Sequence, residues 1–119
     1  LRSGNEKKAT SPKFERAKLQ DNKWLYISGT AAIRGELNVD KSASEQTQVT
    51  LENINDLLKT SGMTAENLVA LRVYVKRSSD FYEVKQVVET LLPNTMAIYV
   101  QSDVCRPELL VEIEGIAQK

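Results

Sequence analysis

The apolar positions along this chain change period several times, and each change marks an element. From Phe14 to Leu19 and from Trp24 to Ser28, short aromatic and aliphatic stretches flank the polar Gln20-Asp21-Asn22-Lys23, the pattern of a β-hairpin. Gly29-Thr30 and Gly35 then punctuate a loop. Ser42 with Glu45 three residues on forms a capping box, and Val49, Leu51, Ile54, Leu57 and Leu58 recur at helical spacing until Gly62 supplies a stop. Leu71, Val73 and Val75 alternate with Arg72, Tyr74 and Lys76, which is the period of a strand. Asp80 with Glu83 reads as a second capping box, followed by the stripe Phe81, Val84, Val87, Val88 and Leu91, which ends before Pro93. Met96, Ile98 and Val100, then Leu109, Val111 and Ile113, alternate with their neighbours as two final strands.

The order β-β-α-β-α-β-β predicts an α+β domain: a mixed sheet with both helices on one face. The other face is left uncovered, carrying Tyr74, Tyr99, Leu110 and Ile116 among polar residues. That is too much apolar surface for open solvent, so self-association through it is expected. Residues 1–12 are polar, without apolar period, and read as a flexible tail or the end of a linker before a single domain over residues 13–119. Because residue 1 is Leu and not Met, that domain is also readable as the C-terminal domain of a longer protein.

Composition narrows the chemistry. With no histidine, Ser-His-Asp and Cys-His systems and histidine-held zinc are excluded, and acid/base work falls to carboxylates, Lys, Tyr, Cys or water. Lys+Arg and Asp+Glu stand at 16 each in 119 residues, which argues against a nucleic-acid or anionic-membrane partner. No apolar run is long enough to span a bilayer. A lone Cys105 allows no internal disulfide and no cysteine-rich metal site, fitting a reducing, cytoplasmic setting.

The element order, together with Ile27-Ser28-Gly29-Thr30, Asn53, Val73-Tyr74-Val75 and Val111-Glu112-Ile113-Glu114, resembles the YjgF/RidA family over nearly all of residues 13–117. The resemblance implies a YjgF/chorismate-mutase-like fold and a homotrimer with a ligand pocket at each subunit boundary. It also implies, for the RidA branch, hydrolysis of reactive enamines and imines without a cofactor. Ser28 matches the family's pocket serine and Glu112 its water-positioning glutamate. Phe14 stands where RidA members have tyrosine, and Ala97 takes the place of the arginine that clamps a substrate carboxylate. A methyl group cannot replace a bidentate guanidinium. Asp103-Val104-Cys105-Arg106-Pro107-Glu108-Leu109-Leu110-Val111-Glu112-Ile113-Glu114 is similar to the C-terminal half of the chorismatases, much longer enzymes that hydrolyse chorismate or eliminate pyruvate from it.

Glu112 and Glu114 lie two apart on a strand, so both carboxyl groups share a face, an arrangement that supplies a general acid or base beside water, or merely two solvated charges. Arg106 replaces the missing clamp or is a solvated turn residue. Arg72, on the face of Tyr74, approaches the pocket or forms a salt bridge between subunits. Tyr74 and Tyr99 offer aromatic walls. Ser28, with no base nearby in sequence, suits hydrogen bonding better than nucleophilic attack. Three functions stand open: an enzyme domain acting on a small carboxylate such as chorismate, a ligand-binding trimer without catalysis, and a nucleic-acid partner or ribonuclease, which the zero net charge disfavours.

Overall fold

The computed structural model describes residues 17–31, 33–34, 37–38, 42–102 and 109–119. Strand β1 (Ala17–Gln20) turns through Asp21 and Asn22, both with positive φ, into β2 (Trp24–Thr30). Asn and Asp tolerate that left-handed geometry, which gives the tight hairpin its twist. The stretch read as a loop contains a small two-stranded ladder, β3 (Ile33–Arg34) and β4 (Leu37–Asn38), bracketing Gly35. Then come α1 (Ala43–Thr60), β5 (Leu68–Val75), α2 (Phe81–Leu91), β6 (Met96–Gln101) and β7 (Val111–Gln118).

Five strands form one sheet in the order β1-β2-β7-β5-β6; β5 and β6 run parallel and the other pairs antiparallel. The parallel step is the one bridged by α2, as a crossover requires. Leu71, Val73 and Val75 of β5, Val111 and Ile113 of β7 and Leu25 and Ile27 of β2 turn under the helices, where Ile54, Leu58, Val84 and Val88 close the core. The predicted α+β fold, a mixed sheet with helices on one face, is therefore the observed one.

Helix α1 begins as expected, with the Ser42 hydroxyl accepting from the Glu45 N–H and the Glu45 carboxylate accepting from the Ser42 N–H. It ends where Gly62 takes φ 72° and the Gly62 and Met63 N–H groups donate back to Lys59 and Leu58. Its buried face is more polar than the leucine stripe suggests, because Gln46, Thr47 and Thr50 are also buried. Both threonine hydroxyls donate to the carbonyl four residues back, and Gln46 Oε1 accepts from the Leu110 N–H at 2.8 Å.

Four expectations are corrected. Asp80 makes no capping bond to α2; its carboxylate takes the Arg77 Nε–H at 2.9 Å instead. Glu83 reaches across to the other helix, accepting from the Ser44 N–H at 2.7 Å, so the acidic pair is divided between two jobs. Leu91, at the end of the α2 stripe, is exposed. Tyr99 and Leu110, assigned to the open face with Tyr74 and Ile116, pack against the core. For Tyr99 the cause is register: parallel neighbours share a face, and Tyr99 lies beside the inward Val73, with its ring edge-on to Phe81 at 5.4 Å. Leu110 precedes β7, so the strand's alternation does not govern it.

Candidate functional site

The uncovered face of the sheet gathers the chemistry. Across it, Arg72 of β5 stands beside Glu114 of β7 and Ile98 of β6, and one row along Tyr74 stands beside Glu112 and Val100. Arg72 Nη1 donates to Glu114 Oε1 at 3.1 Å, and the Tyr74 hydroxyl donates to the same oxygen at 3.0 Å. Arg72 also donates to the Tyr74 oxygen at 3.5 Å, and this contact, then the Glu114 charge, holds the guanidinium above its ordinary pKa. The pair is an exposed one, with the Arg72 side chain 55% accessible, so it orients groups more than it stabilises the fold.

Glu112 differs. Among the described residues it has no hydrogen-bond or ion-pair partner, and its carboxylate lies over Gly29. The ladder between β2 and β7 slips there: Ile27 faces Gly115 and Thr30 faces Ile113, so Ser28 and Gly29 together oppose the single Glu114. The bulge is pinned behind by Thr30, whose hydroxyl donates to the Ser28 carbonyl at 2.8 Å, and by Asn53 of α1, whose Nδ2 donates to the Ala31 carbonyl at 2.9 Å.

A shallow depression of about 510 Å³ adjoins Glu114, lined by Lys18, Tyr26, Ser28, Arg72, Ile98 and Glu114 among others. It offers two cations at its sides and an apolar floor, the elements a carboxylate-bearing ring requires. A second hollow, of about 480 Å³, opens in the helix layer between α1 and α2; its walls are Leu51, Leu58, Leu68 and Leu92 with Gln48, Glu52 and Asn55, and no cation lines it. The cations and paired carboxylates therefore belong to the sheet face. No group of three or more potential metal ligands occurs among the described residues, and no helix is long and apolar enough to cross a membrane.

Of the residues singled out from sequence, Ser28, Arg72, Tyr74, Glu112 and Glu114 meet on this face. Tyr99 does not: it lies beneath the sheet, its hydroxyl buried without a hydrogen bond among the described residues, and burial followed by the Glu89 charge raises its pKa. Phe14 and Arg106 lie outside the described residues. Ala97 pairs with Leu71 and packs against the core, so a longer side chain there would point away from Glu112. The open-face positions of β6 are Met96, Ile98 and Val100, so this strand presents no guanidinium to the site, whether from residue 97 or from its outward neighbours. Gly29, Lys18 and Tyr26 were missed. The alternation that puts Leu25 and Ile27 inside turns Tyr26 and its partner Lys18 outward, so those two were available from the strand pattern; the bulge that gives Gly29 its place was not.

Comparison with known proteins agrees with this fold. A putative endoribonuclease from Thermotoga maritima superposes with a TM-score of 0.82 at 25% identity, covering 94% of this chain and 90% of its own. Yeast Mmf1 gives the same TM-score at 20% identity, a likeness of fold, over 92% of this chain and 90% of its own. In sequence, a 3-hydroxybenzoate synthase from Streptomyces hygroscopicus is 33% identical over 103 residues, 77% of this chain and 30% of that protein. A chorismatase from the same organism is 34% identical over an equal span, again 30% of its length. A RutC family protein of Pyrococcus horikoshii is 31% identical over 101 residues, 81% of this chain and 79% of its own. The chain thus spans under a third of the two Streptomyces enzymes and most of the archaeal protein. The model of the family described as Endoribonuclease L-PSP matches residues 6–119, and with the fold and these relatives in agreement, the chain belongs to that family, the YjgF/RidA proteins.

Proposed function

We infer that this chain is a small-molecule enzyme domain whose substrate carries a carboxylate, chorismate being the substrate the observations favour, with Glu112 as the group that handles a proton or directs water. The observation that carries the reading is the unequal state of two neighbouring carboxylates. Glu114 is held by Arg72 and Tyr74, whereas Glu112, across from Tyr74 and over Gly29, has no hydrogen-bond or ion-pair partner among the described residues. A carboxyl group that is not spent on a structural ion pair can exchange a proton with a bound substrate. The likeness to proteins named chorismatase and 3-hydroxybenzoate synthase supports the choice of substrate.

In chorismate the reactive unit is an enol ether bearing a carboxylate. A carboxylic acid at Glu112 would deliver its proton to the terminal methylene carbon. Water, deprotonated by the resulting carboxylate, would add to the oxygen-bearing carbon, and collapse of the hemiketal would release pyruvate and a ring alcohol. In the elimination variant the same carboxylate takes a ring proton as pyruvate departs and the ring becomes aromatic. Arg72 would anchor one carboxylate by charge-assisted hydrogen bonds from the nitrogens that Glu114 leaves open. Arg106 is proposed for the second carboxylate, Phe14 as a pocket wall, and Ser28 as a hydrogen-bonding group.

The exposed Tyr26, Met96, Ile98 and Val100 on the open face support assembly as a homotrimer, with the site walled by a neighbouring subunit. One observation favours a second reading: Arg72 is already engaged by Glu114, which suits a ligand-binding trimer without catalysis. Incubation of the purified chain with chorismate, followed by pyruvate release, decides between them. Turnover that is lost in Glu112→Gln supports the enzyme; saturable binding of chorismate without pyruvate supports the second reading. Ammonia release from 2-aminoacrylate in place of either result would identify an imine deaminase with a displaced carboxylate clamp, since no arginine stands among Thr95, Met96, Ala97 and Ile98.

A further inference from the structure

The glycine of the β2 bulge has no conformational reason to be glycine. Among the described glycines only Gly62 has positive φ; Gly29 lies in backbone territory open to any residue. Its side of the sheet is nevertheless occupied. A Cβ added at Gly29 would overlap Glu112 Oε2 and come within 3.0 Å of Glu112 Cδ and 3.4 Å of Cγ, while no other group lies among its three nearest neighbours. The contact is therefore specific to one side chain, and that side chain is the unpaired carboxylate.

We propose that Gly29 is a positioning residue for Glu112: the Ser28–Gly29 bulge, bare of a side chain, is the seat on which the carboxylate rests and from which it is aimed at substrate. This rests on the reading of Glu112 as the acid/base group. The seat has its own foundation. Thr30, buried, holds the Ser28 carbonyl through its hydroxyl, and Asn53 ties the Ala31 carbonyl to α1, so the bulge is fixed from the core side while its outer surface stays open. Among the described residues no hydrogen bond defines the Glu112 rotamer. Shape must do so, and a bare strip of backbone lets the carboxyl group lie low against the sheet where a methyl group would lift it. Displacement by about 1 Å of a group that acts at a reacting atom is enough to cost about a hundredfold in rate.

The colliding atoms are at the end of a flexible side chain, so a methyl at residue 29 should move Glu112 and spare the fold. The test is Gly29→Ala in the full chain, alone and combined with Glu112→Ala. We expect the side-chain carboxyl carbon resonance of Glu112 to shift while that of Glu114 holds. kcat on chorismate should fall about a hundredfold with KM within about threefold. Any loss of Tm caused by Gly29→Ala should vanish when Glu112 is already alanine. If the single variant does not fold, the double variant should. An unmoved Glu112 resonance, or a Tm loss equally large in the Glu112→Ala background, would overturn the proposal by showing that the bulge needs glycine for its own sake. Retained chorismate turnover in Glu112→Gln, or none in the parent chain, would instead overturn the functional reading, leaving the resonances and the Tm cycle to judge the seat.

Discussion

Glu112 and Glu114 share a strand, a face and a chemical identity, yet the sheet treats them in opposite ways. At the centre of β7, Glu114 has Arg72 and Tyr74 directly across on β5 and is held by both. Two residues toward the start of the strand, Glu112 meets the edge of a bulge, where a glycine lies beneath it and no donor among the described residues reaches it. One carboxylate is spent on order and the other is kept available. Spacing along a strand therefore shows that two groups share a face, but the cross-strand partners decide what each can do.

The largest effect expected from breaking this arrangement is on the strand itself. Ile113, fully buried between the two carboxylates, fixes which face they occupy, and Ile113→Ala should cost about 2–5 kcal/mol in denaturant unfolding. Loss below about 1 kcal/mol would mean that β7 does not anchor the core as described. Glu114→Gln comes next: it should free Arg72 and Tyr74, yet leave the unfolding midpoint almost unchanged because the pair is exposed. Its mark should be a raised KM for a carboxylate substrate with kcat little changed, and a collapse of kcat with KM preserved would transfer to Glu114 the role proposed for Glu112. Glu83→Ala should destabilise by about 1 kcal/mol through loss of the bond to the first turn of α1. An unaltered Tm would show that this contact does not persist in solution.

The smallest effect is expected at Tyr99, the aromatic that strand alternation alone had placed at the site. Its buried hydroxyl lacks a partner among the described residues, so Tyr99→Phe should leave stability unchanged or slightly raised near neutral pH and leave turnover alone. A pH signature sharpens the point. The folded pKa is raised above the ordinary 10.0, so the protonated phenol favours the native state. That contribution is complete below the unfolded pKa and is lost as pH rises through the folded one. Alkaline unfolding should therefore be less steep in Tyr99→Phe than in the parent; identical alkaline profiles would place the hydroxyl in water.

Most of the fold was legible because it rests on periods: Ser42 with Glu45 opens α1, Leu71, Val73 and Val75 define the inner face of β5, and Gly62 ends the helix as expected. What failed depended on pairing between distant segments. Asp80 and Glu83 have the spacing of a capping box, but Arg77 and the first turn of α1 compete for them and win. Tyr99 and Ala97 alternate correctly with their neighbours, yet alternation cannot say which set faces inward; the register against β5 does. The bulge at Ser28–Gly29 exists only in the slip between β2 and β7, so the seat of Glu112 could not be read from either strand alone.

The central claim is that Glu112, and not Glu114, handles the proton. Steady-state kinetics of Glu112→Gln and Glu114→Gln measured side by side on chorismate test it most directly. Glu112→Gln should lower kcat by about 10²–10⁴-fold, the usual worth of a positioned acid or base, while Glu114→Gln should keep kcat within about tenfold and raise KM. A reversed order, or equal losses in both, would contradict it.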